Sequence, residues 1–97
     1  MGTTVGANST ALGYSCTASG AKSVAEGDTT RATGTASHAE GVNTVAAGEG
    51  SHAEGLSGGL SRTINNVTYT VGAHGAYAHA EGCSTSAFGT YSHAEGY

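Results

Sequence analysis

The stretch SHAEGVNTVAAGEGSHAEG, Ser37–Gly55, holds one pentapeptide twice, at Ser37–Gly41 and again at Ser51–Gly55. The same five letters return at Ser92–Gly96. They return with one change as AHAEG at Ala78–Gly82 and as SVAEG at Ser23–Gly27. A paired His and Glu suggests a metal site or an acid–base pair, whereas a fixed spacing suggests architecture. Glycine decides between them. It recurs every seventh residue from Gly6 to Gly55 and resumes from Gly75 to Gly96. Two residues before these glycines stands alanine, at eleven positions from Ala11 to Ala94. Two residues earlier again is a Ser or Thr in most copies, with Cys16, Val71 and Ala78 as exceptions. The unit is x-x-[ST]-x-A-x-G, and chance does not place eleven alanines in one register.

Small residues alternate with variable ones in this unit, which is the period of a strand. A helix would carry glycine at every seventh position, at about 1 kcal/mol each relative to alanine. Each unit is therefore expected to be a short strand and a turn, with glycine supplying the freedom of the turn. Repeated without long connections, the units make a β-solenoid. The variable slots show that the true repeat is fourteen residues, with two strands per coil. One wall carries Thr10/Leu12, Val24/Glu26, His38/Glu40, His52/Glu54, His79/Glu81 and His93/Glu95. The other carries Thr17/Ser19, Arg31/Thr33, Val45/Ala47 and Ser86/Phe88. The first wall is uniform and the second varied. Inside the coil, the Ser and Thr hydroxyls are expected to satisfy backbone groups of the turns.

The period breaks once. Gly55 and Gly75 are twenty residues apart, so one ordinary unit leaves thirteen extra. Within them LSRTINNVTYTV, Leu60–Val71, reads as a hairpin with Asn65-Asn66 as its tight turn. The chain is thus expected to be a single domain, residues 1–97, with a hairpin inserted at about residues 57–70. The hairpin is either a tolerated excursion or a contact element, whose exposed groups would be Arg62, Asn65, Asn66 and Tyr69.

Composition narrows the function. There are 17 glycines and no proline, the aromatic residues are five Tyr and one Phe, and the net charge is −4. No basic patch is present, which argues against nucleic acid. No apolar run is long enough to cross a membrane. Met1 is followed by GTTVGANST, with no apolar h-region, so no secretion signal is expected in this chain. Cys16 and Cys83 lack the spacing of a disulfide framework or a zinc site and are expected to be free thiols. No nucleophile elbow, P-loop or H-E-x-x-H is found, and the chain is read as no enzyme. The calcium-binding nonapeptide and the six-residue period of acyltransferase solenoids are absent as well.

The doubled x-x-[ST]-x-A-x-G unit resembles the head repeats of trimeric autotransporter adhesins, especially in NSTALG at Asn8–Gly13 and KSVAEG at Lys22–Gly27. The SHAEG version is similar to repeats in bacteriophage tail-fibre and appendage proteins. The resemblance covers nearly the whole chain outside the break. It implies an all-β, left-handed parallel β-roll that assembles as a homotrimer. It implies a structural or adhesive module of a virion tail fibre or a bacterial cell surface, with a host-surface receptor or glycan as a further partner. The stalk and membrane anchor of the adhesins are not found here, which favours a phage fibre or a fragment.

The trimer suits a coil that buries little apolar area. Its interface is assigned to the uniform wall: Val24, Glu26, His38, Glu40, His52, Glu54, His79, Glu81, His93 and Glu95. Successive coils would stack His38 on His52 and His79 on His93 at about 4.8 Å. Glu from a neighbouring level or subunit would accept a hydrogen bond from each imidazole. Histidines converging near a threefold axis could instead hold a transition ion. The pairs recur at every coil, whereas a dedicated site is usually unique. They are therefore read as structural, and no metal or cofactor is assigned. His74 lies outside the ladder.

Overall fold

The computed structural model describes residues 4–56, 61–64, 67–70 and 72–96. Its described residues are all β, with no helix. The chain winds as a solenoid whose coil is fourteen residues long and has two walls. The first wall is a parallel sheet of β2 (Thr10–Tyr14), β4 (Val24–Asp28), β6 (His38–Val42), β8 (His52–Leu56), β11 (His79–Cys83) and β12 (His93–Gly96), stacked in that order. The second wall alternates with it along the chain. It comprises β1 (Thr4–Val5), β3 (Thr17–Ala18), β5 (Arg31–Ala32) and β7 (Val45–Ala46), and the bridges Ala46–Ala73 and Ala73–Ala87 extend it.

Register follows the sequence repeat residue for residue. Ala25 pairs with Ala39, Ala39 with Ala53, and Ala53 with Ala80. Alanines of both walls meet inside the coil and form a core that is at most 3% exposed. Cys16 and Thr30 are the largest side chains fully buried beside them. The buried serines do what their position predicts. Ser23, Ser37 and Ser51 donate to the carbonyls of Gly20, Gly34 and Gly48 at 2.6–2.7 Å. Thr30 donates to the buried Cys16 sulfur at 3.3 Å. Both cysteines are free thiols.

The first-wall repeat glycines Gly13, Gly27, Gly41, Gly55, Gly82 and Gly96 hold φ between 107° and 115°, the freedom expected of glycine from the sequence. The corner itself adds a second left-handed residue, at a variable position seven residues apart along the chain. Asn8, Ser15, Lys22, Thr29, Ala36 and Asn43 hold φ between 51° and 62°, as do Tyr77, Ser84 and Tyr91. These corners are held from below: the Lys22 amide donates to Ala7 O and the Ala36 amide to Ala21 O, each at 2.8 Å. A backbone hydrogen bond to the adjacent coil outweighs the local penalty for a side chain at positive φ. The second-wall glycines answer a different need. A Cβ on Gly34, whose φ is ordinary, would collide with the Gly48 carbonyl of the next coil. Gly41 combines both constraints, with φ at +107° and the Gly55 carbonyl in the way.

The insertion leaves at the end of β8. Its strands β9 (Ser61–Ile64) and β10 (Val67–Thr70) pair antiparallel, with Ile64 opposite Val67 and Arg62 opposite Tyr69. This is the hairpin expected from the sequence. The expected turn residues Asn65 and Asn66 lie outside the described residues. The hairpin belongs to neither wall, and the first wall closes over the interruption without a slip: His52 pairs with His79 and Leu56 with Cys83.

Candidate functional site: a His/Glu ladder on the first wall

The outer face of the first wall carries three columns of side chains, because alternate residues of a strand face the same way. The first column is Thr10, Val24, His38, His52, His79 and His93. The second is Leu12, Glu26, Glu40, Glu54, Glu81 and Glu95. All the residues read from the sequence as one ladder are thus brought together on one surface.

The four imidazoles form a single stack. Ring centroids are 4.8 Å apart from His38 to His52 and from His52 to His79, and 4.9 Å from His79 to His93. The first two contacts are within 3° of parallel. The carboxylates alternate with the rings. His38 Nε2 lies 3.2 Å from Glu26 Oε1 of the coil before and 3.8 Å from Glu40 Oε2 of its own coil. His52 Nε2 lies 3.3 Å from both Glu40 Oε1 and Glu54 Oε2. Glu40 therefore offers one oxygen to His38 and the other to His52. A neutral imidazole donates only one Nε2 proton, so each ring serves one carboxylate at a time.

The chain continues upward. His93 Nε2 is 3.4 Å from Glu81 Oε1 and 3.8 Å from Glu95 Oε2. The exception is His79, whose Nε2 stands 4.0 Å from Glu54 Oε1, beyond hydrogen-bond range. That nitrogen is shielded from solvent and has no hydrogen-bond partner among the described residues. The side chains of the inner rungs are about one-third exposed, from 31% at Glu54 to 38% at His38.

Sequence reasoning missed two surface features. The third column of the wall is Tyr14, Asp28, Val42, Leu56 and Cys83, of which Tyr14, Val42 and Leu56 are exposed apolar groups. Between it and the glutamates runs an open furrow along Gly27, Gly41, Gly55 and Gly82. The signal was available, since these residues directly follow the repeat glycines. The second feature is a pair of corner tyrosines. Tyr77 stacks on Tyr91 at 5.4 Å, and its hydroxyl donates to Glu49 Oε1 at 2.6 Å. That hydrogen bond, and the negative charge of Glu49, hold the Tyr77 phenol above its ordinary ionisation range. On the second wall, His74 stacks on Phe88 at 4.8 Å, outside the ladder as expected. Of the hairpin residues, Arg62 and Tyr69 sit opposite each other in register, and Asn65 and Asn66 lie outside the described residues. No helix among the described residues is long and apolar enough to cross a membrane.

A family model, the YadA head domain repeat, matches the chain in two copies, over residues 5–30 and 39–57. The adhesin-head resemblance read from the seven-residue skeleton is borne out by this match and by the parallel solenoid. No curated protein and no solved structure matched the chain.

Proposed function

We propose that this chain is a trimeric, non-catalytic module of a fibre or surface appendage, carried by a bacterial cell surface or a virion tail fibre. Its YadA-type head repeats make it adhesin-like. The observation that carries the trimer is the outer face of the first wall. It repeats His and Glu at four successive levels, half-buried and uncovered by other described residues, beside the exposed Val42 and Leu56. The alanine core removes little more than methyl groups from water, at about 0.8 kcal/mol each. A rod built this way gains most by covering a wall with two further copies of itself. A non-catalytic role fits a ladder in which no His/Glu pair is set apart as a unique reacting centre.

Native mass in solution, measured with chelator present, tests this reading. A trimer supports it, and a folded monomer refutes it. Val42→Glu puts a charge on the wall beside the furrow and is expected to shift the mass toward monomer while the β circular dichroism is kept.

A second reading concerns adhesion. Among the described residues the hairpin β9–β10 joins neither wall's sheet, and an insertion on a rigid scaffold is a place where binding groups are carried. Arg62, Asn65, Asn66 and Tyr69 would contact a host-surface glycan or protein. Deleting residues 58–70 is expected to abolish binding to host cells while leaving the trimer. Undiminished binding would make the module a spacer.

A further inference from the structure

We infer that the His/Glu ladder is a binding site for a borderline transition ion of the Zn²⁺ class, with two ions held per chain. Two independent observations point there. The first is the ligand set. His38, Glu40 and His52 bring one ligand atom each to within 4.8 Å of one another, and so do His52, Glu54 and His79, and His79, Glu81 and His93. Each triad is two imidazoles and a carboxylate, a set that suits zinc and leaves a fourth position for water. The second is His79 Nε2, a shielded nitrogen with no hydrogen-bond partner among the described residues. A bound cation would satisfy it.

Distances set what must move. Tetrahedral ligands at about 2.0–2.2 Å from zinc lie about 3.3–3.6 Å apart. His52 Nε2 and Glu54 Oε2, 3.3 Å apart, already have that spacing. Facing ligand nitrogens up to 4.8 Å apart need to close by about 1.3 Å, and the stacked rings must tilt so that their Nε2 lone pairs converge, by side-chain rotations open to groups one-third exposed. The ion takes the place of the Nε2 proton, which the neutral ring then carries on Nδ1. No bond of the chain is made or broken otherwise.

Connectivity sets the number. Neighbouring triads share His52 or His79, and one Nε2 lone pair serves one ion. The first and third triads can therefore be filled together, whereas filling the middle one empties both. Full occupancy is two ions, each clamping two adjacent coils. All ligands of a triad come from one chain, so the inference is independent of the trimer.

The test uses the full chain, stripped with chelator and dialysed, then titrated with Zn²⁺ by calorimetry, with metal content measured after gel filtration. Two ions per chain are expected for the unaltered protein. His52→Gln leaves only the third triad and His79→Gln only the first, so each is expected to bind one ion. The double variant is expected to bind none, and His74→Gln is expected to keep two. Should the double variant misfold, Glu40→Gln and Glu81→Gln are each expected to lower the stoichiometry from two to one. Co²⁺ provides a spectroscopic check, since four-coordinate His/carboxylate ligation gives intense visible bands. No uptake at micromolar Zn²⁺, or uptake that the double variant retains, overturns the inference.

Discussion

The imidazole of His52 stacks on that of His79 at 4.8 Å and within 3° of parallel, although the whole hairpin insertion lies between them in the chain. The break is therefore a detour of the chain and leaves the column of coils unbroken.

Excision follows directly. Removing residues 58–70 takes thirteen of the twenty residues between Gly55 and Gly75 and restores the seven-residue spacing. Loop length costs little thermodynamically, about 0.6 kcal/mol per doubling. The shortened chain is expected to fold with a Tm no lower than that of the full chain. A fall of more than about 8 °C in a thermal melt, the scale of 1 kcal/mol in a domain this size, would show that the hairpin supports the column.

The glycines make an asymmetric pair. Gly41→Ala meets both a φ of +107° and the Gly55 carbonyl, and is expected to cost more than about 3 kcal/mol. At Gly89 the nearest described neighbour of a Cβ would be Ser92 Cβ at 3.6 Å, an ordinary contact. Gly89→Ala is expected to stay within about 0.5 kcal/mol. Urea unfolding of the two variants compares them. Equal costs would refute close coil stacking as the reason for the glycines.

The serine column can be edited in both directions. Ser37→Ala removes the 2.7 Å bond to Gly34 O, but that oxygen keeps the Ser37 amide at 3.2 Å. The expected loss is therefore about 1 kcal/mol rather than the larger cost of an orphaned acceptor. Ala78 occupies the same column, with its amide 3.1 Å from Gly75 O. Ala78→Ser is expected to gain up to about 1 kcal/mol by the same bond. Denaturant midpoints decide both signs.

Tyr77 carries the pH dependence. Its raised ionisation is caused first by the hydrogen bond to Glu49 and then by the Glu49 charge. A group whose folded value lies above its unfolded one contributes stability below the unfolded value, here 10.0, and loses it as pH rises through the folded value. The contact is thus fully present at neutral pH and fails only in alkali. In an ultraviolet phenolate titration, Tyr77→Phe is expected to remove the latest-ionising component, and Glu49→Gln to move it to lower pH. An unchanged titration in Glu49→Gln would show that the hydrogen bond does not form in solution.

Much of this was legible in the residues. The seven-residue skeleton implies the strands, and the contents of its variable slots imply two walls, because a period of fourteen is the smallest that repeats His/Glu. Stacking of His38 on His52 follows from that period alone. Other features had no local signal. Ala36, Tyr77 and Tyr91 are not residues that favour positive φ, and they adopt it because there their own amides donate to carbonyls of the adjacent coil. The two-sided sharing of Glu40 depends on rotamers, which spacing does not specify. Continuity from His52 to His79 was hidden because thirteen extra residues obscure the register.

The strict superposition of coils also makes length a heritable quantity. Each level adds the same rise, 4.8 Å between His38 and His52, without changing what the levels below it touch. Duplicating or losing one coil's worth of codons would lengthen or shorten the rod by one fixed step and leave both ends chemically as they were. The graduations of such a rod are written in its gene, and its length can change by recombination alone.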